Sequence, residues 1–295
     1  MKFLLSALLL CLSLPLFSGP LVVYGADSRV NTPEHRNWRY KSLASSVAAM
    51  IPNDALIRSG INRGGVLNFY KSNLRTSTNL CPNERFGLQP DVALCTGFLI
   101  GPRTLVTAGH CVQNQEDCNN NSWAFDYTAK TDFDRLVSLD RRGVYKCSKI
   151  IKSVLNEENE NDFAVIQLDR PVNRRPLRLR AQFASTIFLN EQVFVVGHPS
   201  GLPQKIADSA WVTKNYGGKG KFFTTNLDTF GGNSGSPVFN AKTLEVEGIL
   251  VRGHDDYEWD EKSGCTRPVS CRLHPSKCSG EHVTRITEIY KAFRK

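Results

Sequence analysis

A serine in a glycine-rich turn, a histidine among small residues and an aspartate ahead of an apolar run can share one proton between them. This chain carries Gly231-Gly232-Asn233-Ser234-Gly235-Ser236-Pro237, Thr107-Ala108-Gly109-His110-Cys111 and Asn161-Asp162, in the order His, Asp, Ser. A serine hydroxyl is a weak nucleophile at its free pKa. It attacks a carbonyl when an imidazole takes its proton and a carboxylate holds that imidazole in the right tautomer. Taken singly, each motif has an ordinary structural explanation: a turn, a core histidine, a solvated Asn-Asp pair. Jointly, in this order and flanked by apolar runs, they point to acyl transfer. An α/β-hydrolase would need Gly-x-Ser-x-Gly with the histidine last; Ser236 stands at the final glycine position, and His110 comes first.

The elements around these residues read as short β-rich runs broken by Gly, Pro, Asn and Asp, which favours antiparallel β structure over βαβ units. Strands are expected at Val47 to Ile51, Leu94 to Ile100, Thr104 to Thr107, Val144 to Ile151 and Phe163 to Leu168, then at Gln192 to Val196, Ala210 to Thr213, Lys221 to Thr225, Pro237 to Phe239 and Leu244 to Val251. The run from Phe163 to Leu168 is apolar on both faces, as an interior strand would be, so Asp162 should open a core strand. Helical spacing is convincing only at the C-terminus, through Ile286, Ile289 or Tyr290, and Phe293, with Thr284 as a candidate cap. Residues 26–45 are polar and weakly patterned, consistent with an extended arm or a processed segment. Arg170-Pro171-Val172-Asn173-Arg174-Arg175-Pro176 breaks the strand pattern and reads as a connector.

At 295 residues the chain has room for one large domain or two compact halves. Met1-Lys2 and the apolar run Phe3 to Leu14 have the form of a secretory leader, with its end expected between 18 and 25. Removing Cys11 with that leader leaves eight of the nine cysteines, an even number that favours disulfides in an exported protein. Cys11 lacks the small preceding residue of a lipidated cysteine, so no stable membrane anchor is expected. The formal charge of +9 suits solubility or loose attraction to polyanions, and names no function.

Three motifs carry a resemblance to a known family. Thr107-Ala108-Gly109-His110-Cys111, Asn161-Asp162-Phe163-Ala164-Val165 and Gly232-Asn233-Ser234-Gly235-Ser236-Pro237 resemble the histidine, aspartate and serine motifs of chymotrypsin-fold serine endopeptidases. The likeness is greatest to the secreted bacterial branch that includes the glutamyl endopeptidases, whose mature start Val23-Tyr24-Gly25-Ala26-Asp27-Ser28-Arg29 resembles. The resemblance implies an all-β fold of two packed antiparallel Greek-key barrels with a C-terminal helix, the first over 46–170 and the second over 171–295. It implies Ser234 as nucleophile, His110 as base and Asp162 as its orienting carboxylate, with the amides of Gly232 and Ser234 as oxyanion hole. It also implies a Cys95–Cys111 bridge. Spacing does not fix the pairing of Cys81, Cys118, Cys147, Cys265, Cys271 and Cys278; Cys118 with Cys147 is one option.

The implied activity is secreted peptide-bond hydrolysis through an acyl-enzyme, with protein or peptide substrates, possible protease inhibitors as partners, no nucleic acid, and neither cofactor nor metal. A non-catalytic secreted binding module on the same fold is the reading from another class, distinguished by whether Ser234 reacts with an active-site label. For side-chain preference, the resemblance directs attention to Asp228, Thr229, Leu250, Arg252 and Gly253. Asp228 stands where trypsin-like members carry the pocket-floor carboxylate, which favours Arg or Lys before the cut. The glutamyl branch shares Thr229 but has a histidine where this chain has Leu250, so Arg252 would have to substitute for it. Asn233 replaces the aspartate that receives the new N-terminus in animal members.

Other clusters have plainer readings. Cys271, His274 and Cys278, with Cys265 and His282, could form a zinc site, but export favours disulfides. Asp255, Asp256, Glu258, Asp260 and Glu261 could bind calcium, although a solvated acidic loop is the expectation. Arg170, Arg174, Arg175, Arg178 and Arg180 read as a solvated basic connector. Asn120-Asn121-Ser122 is a glycosylation sequon if the source glycosylates exported proteins.

Overall fold

The computed structural model describes residues 24–59, 65–156, 158–181, 186–253, 255–271 and 278–293. The leader-like start, through residue 23, and His274 lie outside them. The first strand, β1 (Arg29–Asn31), precedes a short helix α1 (Trp38–Ala44). A closed six-stranded barrel follows, in the order β2 (Val47–Pro52), β4 (Cys95–Leu99), β5 (Thr104–Thr107), β9 (Asn161–Leu168), β8 (Val144–Asn156) and β6 (Asn121–Phe125). A small ribbon of β3 (Val66–Phe69) and β7 (Val137–Asp140) covers its flank.

The second barrel is built from β11 (Lys205–Lys214), β10 (Gln192–Gly197), β13 (Pro237–Asn240), β14 (Val246–Arg252), β17 (Glu281–Arg285) and β12 (Phe222–Thr225). Pairing of β12 back onto β11 closes it, and β1 adds antiparallel to the outside of β11. All these pairings are antiparallel. The hairpin of β15 (Tyr257–Asp260) and β16 (Cys265–Pro268) projects between β14 and β17, and a C-terminal helix, α5 (Thr287–Ala292), follows β17. The chain is thus two antiparallel β-barrels of chymotrypsin-like architecture.

Alternation explains how one strand serves two cores. Successive residues of a strand face opposite sides. On β10, Val193 and Val195 enter the interior cluster of the second barrel, with Leu250 and Val283, while Phe194 and Val196 join the cluster that continues into the first barrel, with Phe98 and Phe163. Phe194 stacks between Tyr40 of α1 and Phe239 of β13, with ring centroids 3.6 and 4.7 Å away. A continuous apolar body therefore runs from one barrel to the other.

Several local expectations change. The polar segment 26–45 is not extended throughout: Asn37 caps α1 by accepting from the Arg39 amide, and β1 is held in the second barrel's sheet. Thr284 is not a helix cap, because it lies in β17, and Ile286 precedes α5 with no side-chain cap. Strand β8 extends five residues beyond Ile151, since it pairs along the whole length of β9. The basic connector is largely ion-paired: Arg170 with Asp169, Arg174 with Asp126, Arg178 with Glu245 and Arg180 with Glu247.

Four disulfides join Cys81–Cys265, Cys95–Cys111, Cys118–Cys147 and Cys271–Cys278. The last removes the thiolates that a zinc site would need. The Cys95–Cys111 bridge spans 16 residues and ties β4 to the turn bearing His110. Replacing both cysteines by serine should lower unfolding stability by roughly 3 kcal/mol in the chain-entropy model. A denaturant midpoint unchanged from the native chain would contradict this.

Candidate active site

His110 sits in the short turn Gly109–Cys111 that follows β5, with its side chain one-third exposed. Asp162 is the second residue of β9 and is fully buried, as the sequence pattern implied. Its Oδ2 lies 2.7 Å from His110 Nδ1, and its Oδ1 accepts the His110 amide at 3.1 Å. One carboxylate thus fixes both the ring and the backbone of the histidine. With Nδ1 held by a carboxylate, Nε2 is the nitrogen left to take a proton.

Ser234 belongs to the loop between β12 and β13 and is half-buried. The first barrel grips that loop directly. The Thr96 amide donates to the Ser234 carbonyl at 2.8 Å, and the Thr96 hydroxyl donates to the Gly232 carbonyl at 2.8 Å. Gly235, at φ +89°, lies so close that a Cβ there would be 2.0 Å from the Thr96 carbonyl oxygen and 2.9 Å from the Ala108 amide, two residues before His110. The second barrel holds the other side, with Gly235 donating to Leu250 at 2.7 Å and Leu250 donating to Ser236 at 2.9 Å. The loop carrying the serine and the turn carrying the histidine are therefore neighbours, and Val251 and Arg252 line both the cavity at Ser234 and the groove at His110 and Asp162. Gly232 takes φ +87°, a left-handed conformation that suits glycine. Among the described residues, no backbone hydrogen bond uses the amides of Gly232 or Ser234 as donors, so both are available to an oxyanion.

A cavity of about 150 Å³ opens beside Ser234, lined by Thr229, Leu250, Arg252, Gly253, Asp256 and Glu281 among others. Four of the five residues singled out from the sequence for side-chain preference are here. Asp228 is not a lining residue. Its Oδ1 accepts the Tyr24 amide at 3.1 Å, and its Oδ2 accepts the amide and hydroxyl of Ser28 at 2.9 and 2.5 Å. Arg29, the next residue of the same arm, is buried over the Phe230 ring at 4.0 Å and paired with Asp27 at 2.8 Å. Asn233 faces inward toward Ser236 rather than toward the arm.

Asp256 and Glu281 were not singled out as pocket residues by the sequence. Asp256 is only half-buried, and it accepts the Gly231 amide at 2.6 Å; burial pushes its carboxyl up to about 6. Among its acidic neighbours, Asp260 caps the hairpin turn and pairs with Arg267. Glu281 is almost completely buried. Burial raises its carboxyl from the ordinary 4.5 to about 8, the nearby Asp256 and Asp228 charges add to the rise, and hydrogen bonds from Thr229 and Tyr24 oppose it. The signal was present in the alternation of β17, where Glu281 stands two residues from Val283 of the second barrel's core. Cys95, His110 and Cys111 lie close enough together to suggest a metal site, but both sulfurs are in one disulfide.

Residues 95–249 match the model of the trypsin-like peptidase domain, and the chain belongs to that family. It is 25% identical over 209 residues to the glutamyl endopeptidase of Bacillus licheniformis, covering 68% of this chain and 58% of that protein. It is 30% identical over 162 residues to secreted RxLR effector protein 73 of Plasmopara viticola, covering 50% of this chain and 38% of the effector. The chain thus spans less than two thirds of either relative. Among solved structures, the VesB protease of Vibrio cholerae superposes with a TM-score of 0.51 at 13% identity, covering 90% of this chain and 65% of that one. Human heparin binding protein superposes with a TM-score of 0.52 at 15% identity, covering 85% and 89%. These two share the fold.

The buried Glu281 has a consequence for stability. Below about pH 4.5 its carboxyl is protonated folded or unfolded, and above about pH 8 it is ionised in both states. Between those values only the unfolded chain ionises readily, so this group makes stability fall as pH rises, by on the order of a few kcal/mol across the window. Thermal midpoints recorded from pH 5 to 8 should decline less steeply in Glu281→Gln than in the native chain. Parallel declines would show that Glu281 does not titrate this way.

Proposed function

We propose that this protein is a secreted serine endopeptidase that hydrolyses peptide bonds through an acyl-enzyme on Ser234. The reading is carried by one arrangement: a buried carboxylate 2.7 Å from the imidazole of His110, on a turn against which the Ser234 loop is docked. In this reaction the Ser234 oxygen adds to the scissile carbonyl while His110 Nε2 takes its proton. The developing oxyanion is received by the amides of Gly232 and Ser234, and His110 returns the proton to the leaving amine. Water then adds to the acyl carbonyl while giving a proton to His110, and His110 passes that proton to the Ser234 oxygen as the acid is released. Asp162 holds the ring and stabilises the imidazolium without itself taking the proton.

Export is supported by the leader-like start of the sequence and by four disulfides, which persist in oxidising compartments. The relative in Bacillus licheniformis is a glutamyl endopeptidase. For the present chain a glutamate preference would have to rest on Arg252, which lines the cavity beside Ser234, because Leu250 offers no charge; the carboxyls of Asp256 and Glu281 on the same cavity oppose it. Arg or Lys before the cut fits that cavity better.

A fluorophosphonate label should attach to Ser234 in the folded protein and fail to attach to Ser234→Ala. Asp162→Asn should lower turnover by about four orders of magnitude while leaving the fold intact. Full peptidase activity in Ser234→Ala would refute the assignment, and absence of any adduct on folded native protein would favour a binding role.

A further inference from the structure

We infer that Glu281, rather than Asp228, is the carboxylate that selects the side chain preceding the scissile bond, receiving the cationic head of lysine or arginine in the cavity beside Ser234. The inference rests on the peptidase reading above and identifies the specificity group within it.

The two carboxylates differ in what already holds them. Asp228 accepts three hydrogen bonds from the arm residues Tyr24 and Ser28 and does not border the cavity. Those contacts give it the task of docking the arm. Glu281 borders the cavity and accepts from two side chains, the Thr229 hydroxyl on Oε2 and the Tyr24 phenol on Oε1 at 3.4 Å. A carboxylate offers about four lone-pair positions, so two N–H groups of a guanidinium or ammonium can still be received. The carboxylate also lies directly beneath Gly253 on the cavity wall, where a Cβ would fall 2.3 Å from Oε2. A larger residue at that point would cover the acid.

Charge favours a cationic visitor. Asp228 and Thr229 face Glu281 from the serine loop, Tyr24 from the arm and Asp256 from the segment before β15, while Arg252 at the end of β14 borders the same cavity. Its neighbour on β17, His282, is engaged with Glu160 at 3.0 Å. Arg29 is held by Asp27, and among the described residues no cation lies within ion-pair distance of Glu281. A buried carboxyl without a counter-ion resists ionising, and an arriving ammonium or guanidinium supplies the missing charge. With its carboxyl raised to about 8, Glu281 is largely neutral at pH 6 and largely charged at pH 9. Selection of a cation should therefore strengthen with rising pH.

The test uses 4-aminobenzamidine, a fluorescent aryl amidine, and the folded secreted chain carrying Ser234→Ala, so that binding is read without turnover. The probe should bind, and its affinity should rise by about tenfold or more from pH 6 to 9. Adding Glu281→Gln should weaken binding at pH 9 by about tenfold or more and abolish the pH trend, whereas adding Asp228→Asn should weaken it by less than about threefold. Absence of binding, an unchanged affinity in Glu281→Gln, or a greater loss in Asp228→Asn would each overturn the inference. Should Glu281→Gln fail to fold, Asp256→Asn added to Ser234→Ala keeps the inference testable: the pH trend should persist in that variant, and its loss would overturn the inference. Failure of the peptidase reading is seen separately, as probe binding by native protein whose Ser234 takes no fluorophosphonate.

Discussion

Thr96, near the start of a strand in the first barrel, holds the serine loop of the second. Its amide reaches the Ser234 carbonyl and its hydroxyl reaches the Gly232 carbonyl, while its own carbonyl accepts from Thr107. His110 follows Thr107 by three residues, so the position of the histidine and that of the serine are referred to the same strand end. The Cys95–Cys111 bridge reinforces that corner. Apolar packing joins the barrels but is non-directional. The directional contacts at Thr96 fix which residues meet across the seam, and a hydrogen-bonded register specifies this with a precision that burial alone does not.

The acid-rich region beside Ser234 follows from the same arrangement. Closing the second barrel brings β17 beside β14 and the serine loop, which gathers Asp228, Asp256 and Glu281 around one end of it. Three carboxylates cannot all stay charged in a poorly hydrated place without partners. The structure treats them differently: Asp228 takes the hydrogen-bond donors of the arm, Asp256 takes the Gly231 amide, and Glu281 keeps a proton over much of the physiological range. The division explains how carboxyls of one type in one neighbourhood come to have different duties.

Legibility in the sequence followed the range of the forces involved. The histidine, aspartate and serine segments were readable because each is a local pattern of small residues and apolar strand, and the barrel strands around them have clear alternation. The disulfide at His110 was readable through the family resemblance; Cys81–Cys265, across 184 residues, had no local sign. Strand β1 and helix α1 were hidden because they are short and polar, and become ordered through distant partners, as when Tyr40 stacks on Phe194. Asp228 was assigned to the pocket from its place relative to Ser234, but the arm that occupies it comes from two hundred residues earlier. Glu281 shares its strand face with Val283 of the second barrel's core, but its charge favours a surface reading, and the partners that make it a cavity residue come from distant segments.

The Cys81–Cys265 bond fastens the loop after α3 (Leu74–Thr78) to the projecting hairpin, where Cys81 also donates its amide to Thr266. A single nick anywhere in the intervening chain would leave two fragments still covalently joined and still registered at that hairpin. Wherever a protease reaches that stretch, this converts a first cut from dissociation into a scar that the folded body can carry.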